Sequence, residues 1–149
     1  MIIRFLADGT LFIILLVSFP VILWSLRGRF FESAPVLIMA GLTSLLVGKV
    51  MSIIYQPDIA RPFLVAGEKA GAAYINNPGF PSDHALLATV AVVAVYALTR
   101  NRTLTAVLGT LVVVMCIGRV LALVHTPLDV VFGIIAGLSG GIWYRKLTK

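Results

Sequence analysis

The chain has 149 residues, 60% of them hydrophobic and 12% charged, with a net charge of +6 at neutral pH. A soluble domain carries about a quarter charged residues, so this composition excludes one and places the chain in a bilayer. Its Lys and Arg residues sit at the ends of apolar stretches, as topology signals do, and not on a soluble basic face, which argues against a nucleic-acid partner.

Apolar stretches at roughly 9–26, 34–56, 84–99, 103–118 and 127–144 predict five transmembrane helices, the fourth marginal in length at ~1.5 Å rise per residue. The stretches are continuously apolar, without the alternation of a barrel strand. The expected fold is therefore an all-α integral membrane protein, a compact bundle of about five transmembrane helices forming one domain over residues 1–149. The first stretch has no small-residue cleavage site and ends in Trp24-Ser-Leu-Arg27-Gly-Arg29, which predicts a retained span, kinked at Pro20. Asp58, Glu68 and Lys69 follow the second stretch and read as a solvated loop face. Cys116, the single cysteine, lies inside the fourth stretch and reads as a buried side chain. In the fifth, Gly133, Gly137, Gly140 and Gly141 predict close helix packing. Trp24, Trp143 and Tyr144 fit interfacial anchors.

Five spans put the termini on opposite sides. The side of the 27–33 loop, the 100–103 turn and the C-terminus collects Arg27, Arg29, Arg100, Arg102, Arg145, Lys146 and Lys149. The positive-inside rule then predicts a cytoplasmic C-terminus and an outward-facing 57–83 loop and 119–126 loop.

Both histidines of the chain fall on that outer side, His84 in Pro81-Ser82-Asp83-His84 and His125 in a string from Arg119 to Asp129. Lys49 lies within the second span and Arg61-Pro62 just beyond it. Cations, two imidazoles, a carboxylate and the free N–H groups opening the third helix together suit a tetrahedral oxyanion. Ser82 and Thr126 are expected as helix caps, Pro127 as a first-turn residue, and Asp129 as a carboxylate one turn from His125 that accepts its ring N–H. That leaves the other ring nitrogen free to attack phosphorus. Tyr74, Asn76 and Asn77 precede the first histidine string and are candidates for shaping a headgroup pocket.

The strings Ala60-Arg61-Pro62-Phe63, Phe80-Pro81-Ser82-Asp83-His84 and Gly118-Arg119-x5-His125-x3-Asp129 resemble, in order, the three signatures of the phosphatidic acid phosphatase type 2 superfamily. The resemblance implies His125 as a nucleophile forming a phosphohistidine, Asp129 as its orienting partner, and His84 as the acid that protonates the leaving group. It implies Arg61, Arg119, Ser82 and the backbone around Asp83 as phosphate ligands, with no cofactor and no metal. Three positions depart from the family pattern. Ile54 stands where the first signature has a lysine, leaving Lys49 as the candidate cation and Lys69 as its competitor. Asp83 replaces a common glycine, a variant similar to the bacterial undecaprenyl-diphosphate phosphatases of the superfamily. Gly118 replaces the usual serine before Arg119 and removes a hydroxyl from the phosphate site.

The expected activity is hydrolysis of a lipid phosphate or diphosphate held in the bilayer, with undecaprenyl diphosphate the leading substrate and phosphatidylglycerophosphate or phosphatidate the alternatives. Two rivals carry different expectations: a vanadate-dependent halide-oxidising enzyme, disfavoured by the membrane architecture, and a lipid-headgroup binder or transporter without turnover. The sequence sets no oligomeric state.

Overall fold

The structure, a computed structural model, describes residues 1–55 and 61–148, the side chains of 146–148 excepted. Ala60 of the first signature string, Asp58 and the side chains of Lys146 and Lys149 lie outside the described residues.

All regular structure among the described residues is helical. Helix α1 runs over Ile2–Leu26 and contains a π-helical turn at Phe5–Gly9. Helix α2 follows at Phe30–Ile54, then a single turn, α3, at Pro62–Val65. Helices α4 (Asp83–Thr99), α5 (Arg102–Leu121) and α6 (Pro127–Ser139) complete the bundle, and α6 continues as a 3₁₀ helix over Gly140–Thr148. Helix α1 passes through Pro20 without a break in the helix.

Four segments are long and apolar enough to cross a membrane: Ile2–Leu26, Phe30–Ile54, Arg102–Leu121 and Pro127–Arg145. Helix α4 has only 17 residues, a reach of about 26 Å at ~1.5 Å per residue. It is the central element, packed against α1, α2, α5 and α6. Ala85, Leu86, Ala88, Thr89, Ala91, Val92, Ala94 and Val95 are all buried along it. Small residues on both of its faces let four neighbours approach. The outer helices turn Phe12, Leu16, Phe19, Leu42, Leu46 and Ile53 outward, as a lipid-facing surface requires.

The predicted glycine stripe is where α6 meets α4. A Cβ on Gly133 would lie 2.5 Å from the Ser82 carbonyl oxygen, and one on Gly137 would lie 2.6 Å from the Thr89 Cβ. Gly140 approaches the Ala40 carbonyl of α2, beside the Ser44 hydroxyl, which donates to the Gly137 carbonyl (3.0 Å) and accepts from Gly140 N–H (3.1 Å). These contacts seat the start of α6 against the start of α4. Cys116 is buried in the core, as expected of it.

Candidate active site

The start of α1, the end of α2, the start of α4, the end of α5 and the start of α6 all lie at one end of the bundle, because successive long helices run in alternating directions. Both histidines are at that end. Arg27, Arg29, Arg100, Arg102 and Arg145 lie at or just beyond helix ends on the opposite side.

Local sequence builds the His125 arm. Thr126 caps α6 through its hydroxyl, which accepts from Asp129 N–H at 3.2 Å, while Asp129 Oδ2 accepts from Thr126 N–H at 2.7 Å. This reciprocal capping box, with Pro127 in the first turn, fixes the Asp129 carboxylate. The same Oδ2 lies 3.4 Å from His125 Nδ1. The carboxylate thus faces Nδ1 and not Nε2, so it favours the tautomer that carries its proton on Nδ1. His125 is 4% exposed, and burial pushes its pKa below the ordinary 6.5; Asp129 opposes the shift, and the nearby Arg119 and Arg61 charges add to it. The net effect favours the neutral ring.

The Ser82–His84 arm is tied to this one by backbone. Ser82 N–H donates to the Asp129 carbonyl at 2.9 Å. Ser82 occupies the N-cap position of α4 but makes no side-chain capping bond, so the expectation of a capping hydroxyl is corrected. Its Oγ is fully buried with no hydrogen-bond partner among the described residues, and Gly133 of α6 packs over its carbonyl. Asp83 is exposed at the first helical position, and His84 is partly buried beside it.

Arg119, in the last turn of α5, is 1% exposed. One of its terminal nitrogens, Nη1, donates to the Ala73 carbonyl (2.8 Å) and to Asp8 Oδ1 (2.8 Å) and lies 3.4 Å from His84 Nε2. Its Nε is buried without a partner among the described residues. Asp8 is the residue that sequence reasoning missed. It sits in the π-helical turn, its Oδ1 lies 3.9 Å from His84 Nε2, and its Oδ2 accepts from Ala73 N–H at 3.0 Å and lies 3.9 Å from Arg4. The available signal was an acidic residue at the edge of an apolar stretch, which calls for a partner.

Arg61 is placed differently from a simple phosphate clamp. It donates to the Val124 carbonyl (2.7 Å), the Ile75 carbonyl (2.8 Å), Asn77 Oδ1 (2.6 Å) and the Asn77 carbonyl (3.3 Å). These bonds use four of the five N–H groups a guanidinium carries. Tyr74 lies against its face at 5.2 Å. Tyr74 and Asn77, the candidate headgroup residues, thus hold Arg61, while Arg61 pins the carbonyl just before His125. Burial lowers its pKa, with Asp129 and Asp83 opposing.

Lys49 is exposed on α2, one residue past Gly48, whose missing Cβ makes room for Leu86. The described residues give it no ion pair and no side-chain hydrogen bond into the site. Lys69 is also exposed; with Arg4, Asp8 and Glu68 it lines a cavity of about 760 Å³ beside α1. Among the described residues no three of His, Cys, Asp and Glu come together as a metal-holding group.

Two buried polar atoms at this end of the bundle, Ser82 Oγ and Arg119 Nε, have no hydrogen-bond partner among the described residues. Buried polar atoms without partners are rare in folded proteins and mark places where a ligand completes the bonding. A hydroxyl, a guanidinium and an imidazole suit the oxygens and phosphorus of a phosphate ester.

Among known proteins, no curated protein and no solved structure matches the chain. The family model for the PAP2 superfamily matches residues 33–149, which takes in α4 to α6 and both histidine arms. A helical bundle that sets a buried arginine 3.4 Å from one histidine and a carboxylate 3.4 Å from the other, matched over most of its length by that model, belongs to the PAP2 superfamily of membrane phosphatases that act on phosphorylated lipids.

Proposed function

We propose that the protein hydrolyses a lipid diphosphate at the outer membrane–water interface through a phosphohistidine on His125. The observation that carries this reading is the Asp129 carboxylate, locked by the Thr126 capping box and facing His125 Nδ1 at 3.4 Å. His125 Nε2 attacks phosphorus, and the bond from phosphorus to the lipid-borne leaving oxygen breaks as His84 donates its proton to that oxygen. His84 then takes a proton from water; the resulting hydroxide attacks the phosphohistidine, the P–N bond breaks, and inorganic phosphate leaves. Arg119 and Ser82 hold the phosphate oxygens. Arg61 acts on the site by fixing the Val124 carbonyl and through its charge, with one N–H left for a ligand. The metal-independent course assigns all charge stabilisation to these donors.

With the shorter α4 counted as a fifth pass beside the four long apolar segments, the positive-inside distribution of Arg27, Arg29, Arg100, Arg102 and Arg145 favours an outward-facing site and a cytoplasmic C-terminus. Asp83, exposed at the entrance and similar to the residue of undecaprenyl-diphosphate phosphatases, makes undecaprenyl diphosphate the leading substrate, with phosphatidylglycerophosphate and phosphatidate as alternatives.

Purified protein in detergent with a metal chelator is expected to release phosphate from undecaprenyl diphosphate faster than from the other two lipids. Full activity in His125→Ala would overturn the mechanism. Equal turnover of all three lipids, unaltered by Asp83→Gly, would overturn the substrate assignment alone.

A further inference from the structure

The π-helical turn at Phe5–Gly9 brings a carboxylate into the phosphate site from outside the family-matched residues, which begin at 33. Asp8 joins three parts of the chain: Arg119 on α5 at 2.8 Å, Ala73 N–H of the α3–α4 loop at 3.0 Å, and His84 Nε2 on α4 at 3.9 Å. A π turn adds a residue to the helical repeat and redirects the side chains that follow, and such turns gather at functional sites. The approach of α1 is close enough to depend on Gly118. A Cβ there would meet Ala7 N and Leu6 C at 2.7 Å. The glycine that stands for the family's serine thus removes a hydroxyl and admits the backbone that carries Asp8.

Resting on the phosphatase reading above, we propose that Asp8 is a positioning residue for phosphate hydrolysis, fixing the Arg119 guanidinium so that its buried Nε edge faces the phosphate. With Nη1 tied to Asp8 Oδ1 and the Ala73 carbonyl, the guanidinium plane cannot turn about its own axis, and Nε is left as an unpartnered buried donor. The carboxylate also offsets the arginine charge beside His84. A neutral group at position 8 leaves Arg119 held by the Ala73 carbonyl alone and free to turn toward His84, and the loss falls on the transition state, where the orientation of donors counts most.

The cavity of about 760 Å³ lined by Asp8, Arg4 and Lys69 gives a small carboxylate access to this position. The test is therefore chemical rescue. Asp8→Ala is expected to lower kcat on the lipid substrate about 30-fold with KM changed less than about threefold, and formate at millimolar concentration restores a saturable part of the loss. Asp8→Glu keeps a carboxylate and retains more activity than Asp8→Asn, which has one acceptor for two donors. Binding of orthovanadate, read by calorimetry without turnover, weakens about tenfold in Asp8→Ala and recovers with formate. Unchanged kcat and unchanged vanadate affinity in Asp8→Ala would overturn the inference, and so would a loss that formate does not relieve. Absence of turnover in the wild type would overturn the phosphatase reading, and the vanadate arm would still decide the role of Asp8.

Discussion

Gly118 and Ala7 approach so closely that a Cβ at position 118 would lie 2.7 Å from the Ala7 nitrogen. The atoms it would meet are backbone, Ala7 N and Leu6 C, so they cannot swing aside as a side-chain tip would. Gly118→Ala is expected to push α1 off α5, costing about 1–3 kcal/mol as overpacking does. It should also cost activity, because Asp8 moves with α1. Thermal unfolding in detergent and phosphate release read the two effects separately. A fully active, equally stable Gly118→Ala would mean that the contact is looser than its geometry requires.

The pH dependence follows from the environment of His125. Burial favours its neutral form, so its pKa lies below the ordinary 6.5. Activity that needs the neutral ring should therefore rise with pH along an acid limb centred below 6.5. The linked stability has the same sign: the neutral form is favoured by folding, and that stability is lost as pH falls through the folded-state pKa. Asp129 works against the shift, so Asp129→Asn lowers the pKa further and moves the acid limb to lower pH. The plateau rate should fall about 10²–10⁴-fold, because the amide no longer holds the productive tautomer. The measurement is kcat/KM against pH for both proteins. An acid limb that moves upward in Asp129→Asn would contradict the assignment.

Arg61 supports the site through carbonyls. Lysine at this position keeps the charge but offers three donors on a flexible stem in place of a planar fork. Arg61→Lys should release the 74–77 segment from Val124, leaving the buried Val124 carbonyl without its donor, at a cost of about 1–3 kcal/mol. Activity should drop together with the melting temperature, and hydrogen exchange should quicken around residues 74–79. A variant that loses phosphate affinity at unchanged stability and exchange would instead give Arg61 a purely ligand-binding role.

What the sequence revealed divides by distance along the chain. The Thr126–Asp129 capping box and the His125–Asp129 pairing are contacts over three and four residues, fixed by helix geometry, and spacing alone anticipates them. The Gly133 and Gly137 stripe is equally local in its signal, though its partner α4 is not. Asp8 and Arg119 are 111 residues apart, and nothing local to either names the other. The apolar pattern starts the first span near 9, whereas the helix begins at Ile2, and its first turns carry Asp8, partnered by Arg119 and Ala73. The expected end of the last span at 144 hides a change of helix type, α to 3₁₀, where Gly140 presses on α2. Arg61 shows the reverse limit: its place near the site was legible, but its four carbonyl and amide acceptors depend on the fold of the 74–79 segment.

Ser82 separates stability from function most cleanly. Its hydroxyl is fully buried and has no partner among the described residues, so it contributes a desolvated polar atom and no bond. Removing such an atom at nearly constant volume is neutral or stabilising. Ser82→Ala should therefore melt at the same temperature as the wild type or slightly above it. As the phosphate ligand proposed above, the hydroxyl would gain a charge-assisted bond worth about 1.5–3 kcal/mol, so the same variant should lose about 10–100-fold in kcat/KM. Opposite signs in the two measurements are the expected result. A fall in melting temperature without loss of activity would make Ser82 a structural residue of the α4 turn.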